Sequence, residues 1–104
     1  MALSEMIGLG QRAGKLVSGD IAVKNALAGG RVRLLVIATD AAERTRKELT
    51  RMAGSGNIPT VTYGSKEELG RMIGKSHRSA VAFTDEQMVR GILRTLERGD
   101  VDRT

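Results

Sequence analysis

The feature that most constrains the fold is an unbroken run of apolar residues at positions 34–38, Leu-Leu-Val-Ile-Ala. A short run of this kind is typical of a strand that is buried on both faces of a sheet. Similar segments at 58–63 and 79–83 predict two further strands, and Pro59 indicates that the start of the first of these lies at an edge or entry of the sheet. Residues 15–17 form either an extended link or a brief fourth strand.

Helical spacing predicts five helices that alternate with these strands. The helix at 18–27, for example, presents Val23, Ala26 and Leu27 on one face. Short loops between the alternating helices and strands predict an α/β fold. The expected architecture is a three-layer α/β/α sandwich with a mixed, mostly parallel sheet of about four strands, in one domain over 1–104 whose residues after about 98 fray. The expected helix caps are Ser4, then Ser18 or Asp20, then Asp40 with Glu43, then Ser65 with Glu68, and finally Thr84 or Asp85.

The composition restricts the chemistry and the surroundings of the protein. Its 104 residues include no cysteine, which excludes disulfides, thiolate metal sites and a cysteine nucleophile. No apolar run approaches the ~20 residues of a membrane span, and the N-terminus lacks the charged region of a signal peptide. We therefore expect a cytoplasmic protein without a membrane partner. Tyr63 and Phe83 are the only aromatic residues, so aliphatic side chains and methionine must fill the core.

The positive charge is concentrated in two short stretches. The formal charge of the chain is +5, and residues 11–33 carry five basic residues and one acidic residue. Residues 71–78 carry three basic residues and no acidic residue, whereas the rest of the chain sums to −2. A solvated charged face is one explanation. The local excess indicates more specifically a surface that binds a polyanion, most often nucleic acid.

Residues 70–76 nearly match a nucleotide-binding Walker A loop, but both spacing and context differ. The first glycine of that motif would have to stand at position 69, which is Leu69, and the stretch leads from a helix into a strand rather than the reverse. His77 is the only histidine, and no serine has a histidine and a carboxylate at a recognisable spacing. The sequence therefore predicts no enzyme, no metal site, no cofactor and no small-molecule substrate.

We interpret the start of the 18–27 helix and the loop 74–79 as two halves of one RNA-binding edge. A helix start carries unpaired N–H groups and a partial positive charge, which attract phosphate, and Gly19 lets another backbone approach. In the predicted sandwich the loop leaves at one end of the sheet, where the helix can also begin. The scarcity of aromatic residues favours a structured, bent RNA over single-strand stacking. The candidate residues are Arg12, Lys15, Gly19, Asp20, Ile21, Lys24, Asn25, Arg31 and Arg33 in the first half, and Gly74, Lys75, Ser76, His77 and Arg78 in the second.

Several segments taken together resemble the kink-turn RNA-binding superfamily of ribosomal proteins, of the L-seven-Ae and L-thirty-e type. The resemblance rests on residues 9–19 and 33–40, and on Ile-Gly-Lys-Ser-His-Arg at 73–78, which leads into the strand at 79–83. Ile58-Pro59 and Leu69-Gly70 add to it. The chain is most similar to the short bacterial YlxQ-type members, and the match runs over nearly its whole length.

This resemblance implies an α/β/α sandwich that clasps a kink-turn. The helix after Gly19 would enter the widened groove of the RNA and read sheared G·A pairs, while the loop 74–79 would hold the flipped-out nucleotide. Members of the superfamily usually carry Asn-Glu, two further residues and then Lys after this glycine. Those places hold Ile21, Ala22 and Asn25 here, and Lys24 lies one place from the usual lysine.

The leading hypothesis is a non-catalytic, monomeric protein of the cytoplasm that binds structured, kink-turn-like RNA and is associated with the ribosome or with translation. The alternative is a protein-interaction module that kept the fold and lost strong RNA binding. The two hypotheses differ in their salt dependence, because each neutralised phosphate releases counterions when RNA binds.

Overall fold

The computed structural model describes residues 2–97, in which five helices alternate with four strands. The helices are α1 (Leu3–Arg12), α2 (Asp20–Ala28), α3 (Glu43–Ser55), α4 (Lys66–Met72) and α5 (Glu86–Glu97). The strands are β1 (Leu16–Ser18), β2 (Leu34–Ile37), β3 (Thr60–Thr62) and β4 (Ala80–Phe83). The segment 15–17 therefore contributes to a strand, and the fraying expected after residue 98 lies outside the described residues.

The four strands form one mixed sheet in the order β1-β4-β2-β3. β2 and β3 are parallel, whereas β4 is antiparallel to both of its neighbours, β1 and β2. Three of the four strands thus point in the same direction. However, only one of the three strand pairings within residues 2–97 is parallel, so the sheet is mixed as predicted but mostly parallel only in the direction of its strands. The reason is that the loop 74–79 folds back along α4, where the Arg78 N–H donates to the Lys66 carbonyl at 3.0 Å. β4 consequently enters the sheet at the end where β3 finishes.

The two ends of the sheet collect different parts of the chain. At the upper end β1, β2 and β3 finish and β4 begins, and the Gly19 N–H donates to the Ala80 carbonyl at 3.1 Å. At the lower end the same three strands begin and β4 finishes, and the Arg33 N–H donates to the Phe83 carbonyl at 2.7 Å. Residues just before and just after one strand therefore lie at opposite ends of the sheet.

Helices cover the sheet and complete the predicted three-layer sandwich. α2 packs beside α3 on one face, and α1 contacts both α4 and α5 on the other. β2 and β4 are buried along their whole length, as the apolar run at 34–38 indicates. The core around them is aliphatic apart from Phe83, which is fully buried, and Tyr63, which is 7% exposed. None of the helices within residues 2–97 is long and apolar enough to cross a lipid bilayer.

Two of the predicted helix caps are confirmed. Ser65 Oγ accepts the Glu68 N–H at 3.0 Å, while Glu68 Oε1 accepts the Ser65 N–H at 2.8 Å, which is the reciprocal arrangement of a capping box. Asp85 Oδ2 accepts the Met88 N–H at 2.9 Å at the start of α5. These bonds satisfy donors that a helix start otherwise leaves without a partner.

The other three predicted caps are wrong. Ser4 lies inside α1, which begins one residue earlier, and the N-cap of α2 is Gly19, which has no side chain. α3 begins at Glu43 without a side-chain cap. Asp40 Oδ1 instead accepts the Lys66 N–H at 2.7 Å. The carboxylate thus supports the first turn of α4, because the sheet places that turn beside the residues that follow β2.

Replacing Ser65 with Ala removes one half of the capping box. We expect the free energy of unfolding to fall by about 1 kcal/mol, which corresponds to roughly 4–8 °C in Tm for a small domain. Thermal denaturation followed by circular dichroism measures the change. Ser55→Ala is the matched control, since the Ser55 hydroxyl donates to the Arg51 carbonyl at the exposed end of α3. Equal losses in the two variants would contradict the capping role of Ser65.

Candidate nucleic-acid interface

A groove with a volume of ≈ 630 Å³ lies at the upper end of the sheet and is termed the upper groove. It separates the first turn of α2 from the loop 74–79. The two segments that the sequence assigns to one edge therefore do meet in the folded chain. The groove is lined by Ser18, Gly19, Asp20, Ile21, Ala22 and Asn25 on one side and by His77, Arg78 and Ser79 on the other.

Gly19 makes the direct turn from β1 into α2. Its φ of 93° and ψ of 156° lie in a region that glycine alone adopts readily. α2 has no side-chain cap bond, so the expected cap from Ser18 or Asp20 is wrong. The first N–H groups of α2 therefore have no intrahelical partner and remain available to an outside acceptor. The positive φ means that Gly19 is needed for the turn of the backbone and also lines the groove.

The Arg78 guanidinium holds the loop 74–79 in place. Its Nη1 donates to Ser76 Oγ at 3.0 Å and to the carbonyls of Ser76 at 3.2 Å and His77 at 3.0 Å. Its Nε donates to Ser18 Oγ at 3.3 Å, which ties the loop to the end of β1. All of these acceptors are neutral. The positive charge of Arg78 is therefore fixed in position without being neutralised.

Gly70 supports the loop and is a residue that sequence reasoning missed as part of the site. A Cβ atom at this position would overlap the carbonyl group of Ser76 and lie 2.9 Å from the Lys75 carbonyl oxygen. The loop backbone thus rests directly on α4, where the Lys75 N–H also donates to the Gly70 carbonyl at 2.8 Å. A glycine inside a helix can signal such a close approach. In this sequence, however, Gly70 is part of the near match to a Walker A loop, and that pattern does not indicate a packing contact.

The rim of the upper groove combines exposed basic and apolar side chains. His77 is exposed and faces the first turn of α2 across the groove, while Lys75 is exposed on the same loop just outside the lining. Ile21 is 76% exposed and is the one large apolar side chain that stands out into solvent within residues 2–97. Cations contact phosphates and apolar groups contact sugars and bases, so the pair of features suits a nucleic acid.

Lys24 lies on α2 but does not line the upper groove. Its ammonium pairs with Glu48 of α3 and, at 3.2 Å, with Asp20. The hydrogen bond to Glu48, followed by the one to Asp20, raises the pKa of Lys24 above its usual value. The same bond to Lys24 lowers the pKa of Glu48. Lys24 therefore links the two helices of one layer, and it partly offsets the carboxylate that Asp20 brings to the groove.

Four predicted site residues lie at the lower end of the sheet instead. Arg12 and Lys15 come just before β1, and Arg31 and Arg33 come just before β2. Both strands run from the lower end to the upper end, so basic residues that precede them stay at the lower end. The expectation that these four residues share an edge with the loop 74–79 is therefore wrong, because each strand separates residues that are close in sequence.

Two basic residues that the sequence did not single out lie at the upper end. Arg46 donates from Nη2 to the Thr39 carbonyl at 2.9 Å, over the end of β2. Lys66 begins α4, and its carbonyl accepts the Arg78 N–H at 3.0 Å. Helical spacing assigns Arg46 to the outer face of α3 but cannot show which end of the sheet it meets. No local signal identifies either residue.

The upper groove offers hydrogen-bond donors and cations rather than a set of metal ligands. His77, the single histidine, is exposed beside Arg78. Among residues 2–97 no group of three His, Cys, Asp or Glu residues is placed to hold a metal ion. The arrangement suits an anionic ligand that is held by several donors at once.

The model of the ribosomal protein L7Ae/L30e/S12e/Gadd45 family matches residues 1–92. The chain belongs to this family. It is 33% identical to the RNA-binding protein YlxQ of Bacillus subtilis (strain 168) over 92 residues, which are 88% of this chain and 92% of that protein. It is 30% identical to the RNA-binding protein YlxQ of Enterococcus faecium over 73 residues, 70% of this chain and 71% of that protein. The resemblance seen in the sequence segments is thereby confirmed.

Two solved structures have the same fold as this chain. A protein with unknown function from Bacillus halodurans C superposes with a TM-score of 0.83 at 32% identity, over 90% of this chain and 95% of that one. The 15.5 kD RNA-binding protein of Giardia lamblia superposes with a TM-score of 0.76 at 21% identity, over 92% of this chain and 85% of that one. These likenesses confirm the predicted α/β fold.

Gly70→Ala places a methyl group where the backbone of residues 75–76 lies. We expect the loop to move off α4 and the free energy of unfolding to fall by about 1–3 kcal/mol, the usual range for overpacking. Amide chemical shifts of the loop and urea denaturation measure the two effects.

The matched control is Gly91→Ala in α5, because nothing lies within 4 Å of a Cβ atom there. This variant should gain roughly 0.5–1 kcal/mol from its higher helix propensity. If Gly70→Ala is as stable as Gly91→Ala and leaves the loop shifts unchanged, the loop does not depend on close packing against α4.

Proposed function

We propose that the protein is a non-catalytic binder of structured RNA and that the upper groove is its RNA-binding site. The observation that carries the proposal is the meeting of the uncapped start of α2 with His77 and Arg78 of the loop at one groove, next to the exposed Lys75 of the same loop. Membership of a ribosomal protein family supports it, as do two relatives that are named RNA-binding proteins.

The chemistry of the groove favours a folded phosphate backbone over stacked single-stranded bases. Free N–H groups at a helix start and a fixed guanidinium are donors that phosphate oxygens accept well. Tyr63 and Phe83 are buried, so no Phe, Tyr or Trp ring within residues 2–97 is exposed for stacking, and the His77 imidazole is the single exposed aromatic ring of that part of the chain. Ile21 offers an apolar contact for a sugar or a base. The proposed ligand is therefore RNA whose own structure presents a bent backbone.

The proposal extends to a kink-turn-like RNA and to a role on the ribosome or in translation, for a single RNA-binding domain that acts as a cytoplasmic monomer. Its support is the family, which takes its name from ribosomal proteins, and the resemblance of both sides of the groove to segments that clasp a kink-turn. Sedimentation of the tagged protein with ribosomal subunits tests the ribosomal part. A protein that stays entirely in the ribosome-free fraction at low salt would contradict it.

Lys75→Ala tests the groove through its salt dependence. We expect weaker binding to a kink-turn RNA and to a plain RNA duplex by a similar factor, and a slope of log affinity against log salt that falls by about one. Gel shifts at two salt concentrations measure both. Lys75 is preferable to Arg78 for this purpose, because Arg78 also holds the loop.

Lys47→Ala is the matched control for this experiment. Its side chain is 75% exposed on α3, which contributes no residue to the lining of the upper groove, whereas Lys75 lies on the loop that borders the groove. Its loss should leave the salt slope nearly unchanged. An unaltered slope in Lys75→Ala, or the same loss in both variants, would overturn the assignment of RNA to the upper groove.

Kink-turn specificity is tested at the three exposed α2 positions that differ from the usual family pattern. The triple variant Ile21→Asn, Ala22→Glu and Asn25→Lys should bind a kink-turn at least about tenfold more tightly by adding hydrogen bonds. Binding to plain duplex should change far less. All three positions are exposed, so the core is unaffected.

The control for the triple variant places Gln at the same three positions, which adds polarity without the family pattern. Both proteins are titrated with the same two RNAs. If the family-like variant gains equally for kink-turn and duplex, or gains nothing, the first turn of α2 does not face a kink-turn.

A further inference from the structure

A second groove, with a volume of ≈ 440 Å³, lies at the lower end of the sheet and is termed the lower groove. It runs between the last turns of α2 and α3 and flanks the beginning of β2 and β3. It is therefore separated from the upper groove by the length of the sheet. Its floor consists of Leu27, Val32, Met52 and Ile58, and its rim carries the exposed side chains of Arg33 and Arg51.

Arg33 and Arg51 form no direct ion pair with an acidic side chain within residues 2–97, although the Glu48 carboxylate on α3 attracts Arg51 through space. Lys15 and Lys24, by contrast, form ion pairs with carboxylates of neighbouring elements. Arg33 donates from Nη1 to the neutral carbonyl of Gly30 at 3.2 Å, and no acidic side chain lines the groove. Neither guanidinium is therefore in direct contact with a carboxylate, and a guanidinium binds a carboxylate through two parallel hydrogen bonds.

The floor of the lower groove suits an aliphatic side chain. Leu27 and Ile58 are partly buried against the core, Met52 is half-buried, and all three line the groove. Methionine adapts its shape to a partner, and arginine beside apolar residues is typical of protein interfaces. The lining therefore favours a protein segment over RNA.

We propose that the lower groove binds a short segment of a partner protein in which an apolar side chain is flanked by Asp or Glu. The apolar side chain packs on Leu27 and Met52, and the carboxylates pair with Arg33 and Arg51. Apolar burial supplies affinity, and the charges select acidic sequences. Because the two grooves lie at opposite ends of the sheet, both can be occupied at once. This inference does not rest on RNA binding.

Selection of phage-displayed random dodecapeptides on the full chain, without RNA, tests the proposal. We expect the enriched peptides to share an apolar residue flanked by Asp or Glu. The most enriched peptide is then synthesised with a fluorescein label and titrated by fluorescence anisotropy. Its Kd should rise by about tenfold or more in Arg51→Glu and in Met52→Gln.

Arg44→Glu is the matched control, since it makes the same charge change on α3 at an exposed residue outside the groove lining. It should change the Kd by less than about twofold. Thermal melting of each variant shows whether it folds. If Arg51→Glu fails to fold, Arg33→Glu replaces it in the titration.

Amide chemical shifts of the ¹⁵N-labelled protein locate the bound peptide. Shifts at Met52, Gly56 and Ile58 support the proposal. It is overturned if no peptide is enriched, if the enriched peptides lack the acidic and apolar pattern, if folded Arg51→Glu binds like the parent, or if the shifts fall on the loop 74–79. It also fails if oligouridylate rather than peptide shifts the same amides, because the groove is then a second RNA site.

Discussion

The antiparallel placement of β4 between β1 and β2 is the constraint on which the rest of the molecule depends. Because β4 is hydrogen-bonded on both sides, the segment that precedes it emerges between the ends of its two neighbours. The N–H groups of Gly19 and Ala38 donate to the carbonyls of Ala80 and Ser79 at 3.1 and 2.8 Å. A loop from late in the chain is thereby held against a helix start from early in it, and the upper groove lies between them.

The loop that borders the upper groove is ordered by contacts that leave its charge intact. Gly70 lets the backbone of the loop rest on α4, and Arg78 is bonded to neutral oxygens of the loop and of Ser18. A group that is already held in place loses less freedom when a ligand binds. Lys24 shows the contrasting use of a cation, because its carboxylate partners engage it between α2 and α3. Both residues hold parts of the fold together, but the charge of Lys24 is paired with carboxylates whereas that of Arg78 is bonded to neutral oxygens.

How far the sequence predicts the molecule depends on how local each signal is. The run at 34–38 and the capping box at Ser65 depend on neighbouring residues, and both appear as predicted. Asp40 has the spacing of a capping residue as well, yet it bonds to Lys66, which only the assembled sheet brings near. The candidate site follows the same rule. Its two central segments carry local glycine and charge signals, whereas the placement of Lys15 at the far end depends on the direction of β1.

The outer strands of the sheet, β1 and β3, are each three residues long. β3 follows Pro59, which has no backbone N–H, and its Thr60 and Thr62 side chains are exposed. Both outer strands are too short to offer an incoming strand more than a few free backbone groups, and β3 is polar as well. The two edges of the sheet are therefore poor templates for pairing with another copy of this chain.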